Sequence, residues 1–303
     1  MLTLFAIPKP FRGHVGAIQR NAIRSWTLLH PACEVILFGQ DEGTAEIALE
    51  LGTSHVPIVA CNEYGTPLVN GLFAQAERMA RHDVLCYVNA DIILMSDFPV
   101  ALRRAAVGRR RFLLTGRRWN VDLEEPLGFG GGWDERLREY VGKHGQLFSW
   151  EAMDYFAFPR GLWGTIPPFA IGRTVWDNWL LFGARERGAR LIDSTTVVMA
   201  VHQNHDYAHH ALGEAGVWRG VEAQRNLELA GGWDHVFTLQ DATWLLGRRG
   251  LSPALSRWHL ARHIETWAYL FPGLRRRLRL FRRVLLPLWR FSKAALARTS
   301  GIW

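Results

Sequence analysis

Val84-Leu85-Cys86-Tyr87-Val88 runs into Asn89-Ala90-Asp91 and out again through Ile92-Ile93-Leu94. An apolar run of this length, interrupted by no charge, reads as a strand buried on both faces, as in parallel sheets covered by helices. The turn sets Asn89 and Asp91 on the same side, because alternate residues of extended chain share a direction. Two polar side chains clamped between apolar stretches are costly unless they bind something. The plainer reading is that Asn89 stabilises a turn and Asp91 caps a following helix.

The residues upstream repeat one rhythm. Residues 2–7 form a short apolar strand that runs into Pro8-Lys9-Pro10-Phe11-Arg12-Gly13. Residues 15–29 carry helical periodicity, with Ile18, Ala22 and Trp26 on one face. A second strand over 34–39 ends at Gln40-Asp41-Glu42-Gly43, and a helix to about 51 and a brief strand over 55–58 follow. Thr66-Pro67 reads as the cap and first position of a third helix reaching residue 81. Strands alternating with helices predict an α/β fold with a mostly parallel sheet and right-handed crossovers. Ligands of such sheets bind beyond the carboxyl ends of the strands. Lys9, Asp41-Glu42 and Asn89-Ala90-Asp91 stand there.

Downstream the pattern is less regular. Strands are predicted over 111–115, 154–158, 189–192 and 196–201, and a helix over 173–187 with Asp177 in its first turn. The 128–132 glycine run reads as a mobile loop or a linker. His202-Gln203-Asn204-His205-Asp206-Tyr207 is a dense polar cluster after an apolar strand. A lone His is more often structural, but a cluster in this position points to function. No spacing of Cys and His fits structural zinc.

The first 205 residues resemble the GT-A glycosyltransferases, through Asp41-Glu42 after the second strand, the small-residue helix at 66–80 and the Asn-Ala-Asp turn. Asn89 stands where that family has the first Asp of its Asp-x-Asp motif, and a neutral amide is a weaker cation ligand than a carboxylate. The resemblance implies a three-layer α/β/α core and transfer of a sugar from a nucleotide-diphosphate donor to a hydroxyl of a glycan or lipid-linked acceptor. The donor-binding set is then Ala6, Ile7, Pro8, Lys9, Asp41, Asn70, Asn89, Ala90 and Asp91. A divalent cation, Mn2+ or Mg2+, is expected on Asp91 with His202, and His205 is the rival ligand. The stretch from Pro167 to Asn178 resembles the family's acceptor segment. It makes Asp177 the candidate base of an inverting reaction, its charge favoured by the helix dipole, which does not raise its basicity. Asp154 is the competing acid, and Asp154, Trp176 and Arg173 form the expected acceptor-binding set.

Composition bounds the alternatives. The 303 residues, 49% hydrophobic and 21% charged, suit an ordered globular chain. Fourteen tryptophans suit a core, a sugar-stacking surface or a membrane interface. Trp119, Trp133, Trp150, Trp163 and Trp176 lie in the acceptor half, where one or two could form a platform for sugar rings. The three cysteines have no redox or metal spacing. Residues 2–7 are cut short by Pro8 and read as a strand rather than a leader, so the cytoplasm is the expected compartment.

The net charge of +8 is concentrated after residue 270, where nine basic residues meet no acidic one, and the rest of the chain is near neutral. That distribution argues against nucleic acid as partner. Leu274, Leu278, Phe281, Leu285 and Leu288 recur at helical spacing among arginines. This pattern predicts an amphipathic helix over 274–291 that lies on an anionic membrane or packs on the body. The expected organisation is a catalytic domain over 1–230, with a nucleotide half over 1–116 and an acceptor half over 117–230. A helical extension over 231–303 follows. A nucleotidyltransferase would need a glycine-rich phosphate loop after the first strand, which Pro8-Lys9-Pro10-Phe11 lacks. A catalytically silent sugar- or membrane-binding module on the same fold is the other alternative.

Overall fold

A computed structural model describes residues 2–29, 33–108, 111–123, 126–205 and 218–271. The residues of the basic tail, including 274–291, lie outside that set.

The expected α/β core is present. Its main sheet contains β1 (Leu2–Ala6), β2 (Glu34–Phe38), β3 (Ser54–Val56), β4 (Val84–Val88), β6 (Phe112–Thr115), β9 (Tyr155–Pro159), β10 (Arg190–Asp193), β12 (Trp244–Gly247) and β13 (Gly250–Pro253). Their spatial order is β13-β12-β10-β6-β9-β4-β1-β2-β3. All pairings are parallel except those of β9, which is antiparallel to both β4 and β6, and that of β13 with β12. The strands β5 (Ile92–Ile93), β7 (Arg118–Val121), β8 (Gln146–Leu147) and β11 (Ala200–Gln203) make a second, four-stranded sheet in the order β5-β11-β7-β8.

Continuous apolar strands follow from helices on both faces. Leu85 and Tyr87 point into one core cluster, and Cys86 and Val88 into another. The first is aromatic: Phe73 stacks on Phe158 at 5.6 Å and on Tyr87 at 5.7 Å, with Phe5 edge-on at 5.1 Å. On the other face, helix α1 (Gly13–Thr27) buries Ile18, Ala22 and Trp26, the face its periodicity predicts. The Trp26 indole also donates to the carbonyl of Ile92 at 2.8 Å, tying α1 to the segment after the Asn-Ala-Asp turn.

Several local expectations give way. Helix α3 (Val69–Met79) begins after Leu68 with no side-chain cap, so Thr66-Pro67 does not start it. Pro67 instead accepts the Ile171 amide at 2.9 Å, and Thr66 accepts that of Asn62. Those two carbonyls are the ones a helix starting there would need for its first turn. Helix α6 (Trp176–Glu186) begins three residues later than predicted, and β11 four residues later. His202 and Gln203 therefore lie inside a strand rather than beyond it. The helical extension expected from 231 supplies β12 and β13 to the main sheet before its helix, Arg257–Leu270, begins.

Candidate active site

The parallel strands run toward one edge of the main sheet. Because β9 runs the other way, its amino-terminal end brings Asp154 to that same edge. The Asn89 amide hydrogen reaches the Asp154 carbonyl at 2.9 Å, and the Asn89 side chain donates to Asp154 Oδ1 at 2.6 Å. Tyr87 Oη hydrogen-bonds Asn89 Oδ1 at 3.0 Å. The second Asp154 oxygen accepts from Arg118 at 2.9 Å in a largely buried ion pair. Asn89 thus faces a carboxylate, and both Asp154 oxygens are engaged by protein groups.

Asp91 meets different partners. Strand β5, which follows the turn, pairs antiparallel with β11, matching Ile92 to His202. That register sets Asp91 against two imidazoles from 111 and 114 residues along the chain. His205 Nε2 lies 3.0 Å and His202 Nε2 3.8 Å from Asp91 Oδ2. Gln203, between them, points into the body. It donates to the Ile18 carbonyl at 2.7 Å and accepts from Asn21 at 2.9 Å, anchoring the strand to α1.

Candidate ligand atoms of Asp91, His202 and His205 lie within 4.8 Å of one another. Asp91 Oδ1 and His202 Nδ1 are buried with no hydrogen-bond partner among the described residues. Buried polar atoms without partners are costly, so this donor set fits a cation. Burial pushes the Asp91 carboxyl up, but the His205 hydrogen bond and the charges of His202 and Lys9 outweigh it and hold the group well below the usual range. Burial also lowers the His202 imidazole, against the pull of Asp91, which favours the neutral form that ligates metals.

Lys9 follows β1, its backbone clamped at both ends by the Gln19 side chain, and feels the charge of Asp91. Ala6, Pro8 and Ala90 are buried, and Ile7 packs beside Gly39. Asp41 lies exposed beyond the end of β2. Asn70 sits in the first turn of α3 with its Oδ1 buried and unpartnered among the described residues.

Asp177 stands in the first turn of α6 and accepts the Asn178 amide at 2.9 Å. Burial pushes its carboxyl up to about 7, helped by the charge of Asp154 and opposed by local backbone hydrogen bonds and Arg118. The expectation that the helix dipole would leave it an ordinary carboxylate is corrected: desolvation wins. Just before it, Val175 has φ 86°, the one non-glycine residue with positive φ among those described. A β-branched residue pays to sit there, so the turn into α6 is held by its surroundings.

The remaining acceptor candidates are engaged elsewhere. Trp176 is 5% exposed and packs edge-on against Tyr87 at 5.2 Å, which leaves no ring face for a sugar. Arg173 is paired with Glu222 at 2.7 Å. Sequence reasoning missed Arg118, the cation that joins β7 to Asp154. No local pattern signals it, because its partner is 36 residues away and on the other sheet.

No family model and no curated protein matches the chain. Among solved structures, it is similar to glucosyl-3-phosphoglycerate synthase from Mycobacterium tuberculosis in complex with Mg2+ and uridine-diphosphate. The identity is 15%, over 77% of this chain and 80% of that one, with a TM-score of 0.45. It is also similar to a mannosyltransferase from Pyrobaculum calidifontis in complex with GDP-Man and Mn2+, at 12% identity over 70% of this chain and 59% of that one, TM-score 0.44. At these values the likeness is one of general layout. The functional reading is carried by the chain's own residues.

Proposed function

We propose that the protein is a glycosyltransferase that moves a sugar from a nucleotide-diphosphate donor to a hydroxyl of a glycan or lipid-linked acceptor, with inversion. The observation that carries this reading is the meeting of Asp91, His202 and His205 at the sheet edge that also holds Asp177. A diphosphate leaving group needs positive charge on one side of the reacting carbon, and the acceptor hydroxyl needs a proton acceptor on the other.

Asp91, His202 and His205 would hold a divalent cation, which supplies charge neutralisation to the diphosphate when bound. Two imidazoles beside one carboxylate favour Mn2+ over Mg2+, which prefers all-oxygen sites. Lys9 adds a positive charge on the same side. Ile7, Pro8, Asp41 and Asn70 ring the expected nucleotide position. Asp177 takes the acceptor proton as the acceptor oxygen bonds to the anomeric carbon. The bond from that carbon to the diphosphate breaks, and its electron pair leaves with the nucleotide. A carboxyl pushed to about 7 is a stronger base than an ordinary one and is still half ionised at neutral pH. Arg118 and Asn89 hold Asp154 beside it, which keeps that second negative charge fixed and paired.

No helix among the described residues is long and apolar enough to cross a membrane. The 274–291 segment, with its arginines, fits contact with an anionic membrane where a lipid-linked acceptor would be presented.

Thermal melts of the purified protein against a panel of nucleotide sugars, with and without Mn2+, test the reading. A melting-temperature rise with one nucleotide, larger with Mn2+ and lost in Asp91→Ala, is the expected result. No rise with any donor would overturn it.

A further inference from the structure

With Trp176 buried, an aromatic surface for the acceptor has to be sought elsewhere, and β8 leads into one. Phe148 and Trp150, two residues apart, are 39% and 38% exposed. Trp163, by contrast, is 2% exposed and belongs to the core. Consecutive arginines reach the two exposed rings. The Arg118 guanidinium lies 5.0 Å from the centre of Phe148, and that of Arg117 lies 4.9 Å from the centre of Trp150. Arg117 also donates to the Phe148 carbonyl, and Phe148 donates its amide to the Arg118 carbonyl at 2.9 Å. The aromatic pair is therefore fixed in place by hydrogen bonds as well as by ring contacts.

The surface adjoins the candidate catalytic groups. Arg118 joins it to Asp154. The Asn178 side chain reaches toward the Glu151 carbonyl at 3.5 Å, and the Asn178 backbone amide is the one bound by Asp177. Beside the surface lies the buried His259, in the first turn of Arg257–Leu270. The His259 ring meets Trp150 edge-on at 6.4 Å. His259 is 6% exposed, its Nδ1 is bound to Ser256 Oγ at 2.7 Å, and its Nε2 is buried with no partner among the described residues.

We propose that Phe148 and Trp150, with Arg117 at their margin, form an acceptor subsite that takes the pyranose ring of a glycoside. The inference rests on the glycosyltransferase reading for its role, though not for its geometry. The C–H face of a pyranose has the flat, apolar outline that stacks on an aromatic ring, while its hydroxyls point outward around the rim. The Arg117 guanidinium at that rim has hydrogens beyond those given to the Phe148 and Leu147 carbonyls and supplies donors for hydroxyls. Two aromatic residues in succession fit a ring and its aglycone or second sugar better than a small acid, which offers no face to stack.

Saturation-transfer NMR with methyl glucopyranoside, mannopyranoside and galactopyranoside tests the subsite on the full chain, with UDP or GDP and the diamagnetic Mg2+ present. At least one glycoside is expected to receive saturation at its ring protons. Trp150→Ala should lower that signal about five- to tenfold and Trp150→Phe should keep most of it. Melts of both variants check folding, and the nucleotide-induced shift reports the donor side separately. Absence of saturation with all three glycosides in protein that binds nucleotide would overturn the subsite. So would an unchanged signal in the Phe148→Ala, Trp150→Ala double variant. Trp150-dependent saturation in protein that binds no nucleotide would uphold the subsite and sink the donor reading instead.

Discussion

The Asn89 side-chain amide donates to the Asp154 carboxylate across 2.6 Å. An amide can make that contact and a carboxylate cannot, so an asparagine at position 89 has a local cause. Asn89→Asp would put two carboxylates in contact, and one would have to take up a proton. We expect a loss of about 1–3 kcal/mol at pH 7 in urea unfolding, and a smaller loss at pH 5. Equal losses at both pH values would argue that charge is not the reason for the amide.

Mn2+ should raise the melting temperature of the wild-type protein more than Mg2+ does, and chelation should reverse the rise. In His202→Ala or Asp91→Ala the Mn2+ effect should fall to the noise. A rise that survives in both variants would place the cation elsewhere.

Asp177→Asn should lower the transfer rate by about 10²–10⁴. In the wild type the rate should climb with pH and level off above about 7, as the carboxyl loses its proton. The variant should lack that climb. A retained climb would assign the proton transfer to another group.

The same residue affects stability in the opposite sense. Its folded value of about 7 lies above the roughly 4 of an unfolded chain, so the folded state holds the proton more tightly. The contribution is full below pH 4 and is lost as pH rises through 7. Fully realised, that gap is on the order of 4 kcal/mol. Asp177→Asn should therefore gain stability relative to wild type as pH goes from 5 to 8. A difference that does not change with pH would contradict the buried, elevated carboxyl.

Gly116 sits where β6 ends, and a Cβ there would lie 2.4 Å from Tyr155 Oη and 3.0 Å from the Thr195 amide nitrogen. Tyr155 Oη is bound to Ser194 Oγ at 2.8 Å inside the core. Gly116→Ala should cost about 2 kcal/mol or more through overpacking and a broken buried hydrogen bond. Chemical denaturation would read it directly.

The parallel half of the main sheet was legible because its cause is local. Runs such as 84–88 are apolar without alternation, and that alone implies cover on both faces. The antiparallel course of β9 was not legible, since strand direction depends on the connections around Asp154 rather than on its neighbours in sequence. The polar turn and the histidine cluster were visible as separate features, but their meeting depends on the two-residue strand β5 and its register with β11. No periodicity exists in a strand that short. Trp176 and Trp150 looked alike in the sequence. What separates them is whether Tyr87 packs against the ring, a contact that crosses 89 positions of chain.

The hairpin of β12 and β13 limits how the chain can be shortened. Trp244 and Leu245 pair with Ile192 and Asp193, and Arg104 holds the hairpin tip through the carbonyls of Gly247 and Arg248. Ending the chain near 231 would leave β10 with a row of open backbone donors and acceptors, which invites pairing with another molecule. Aggregation of such a fragment would then report a missing edge and say nothing about the role of the basic tail. A cut after residue 271 removes the nine-charge segment and leaves all nine strands of the sheet in place.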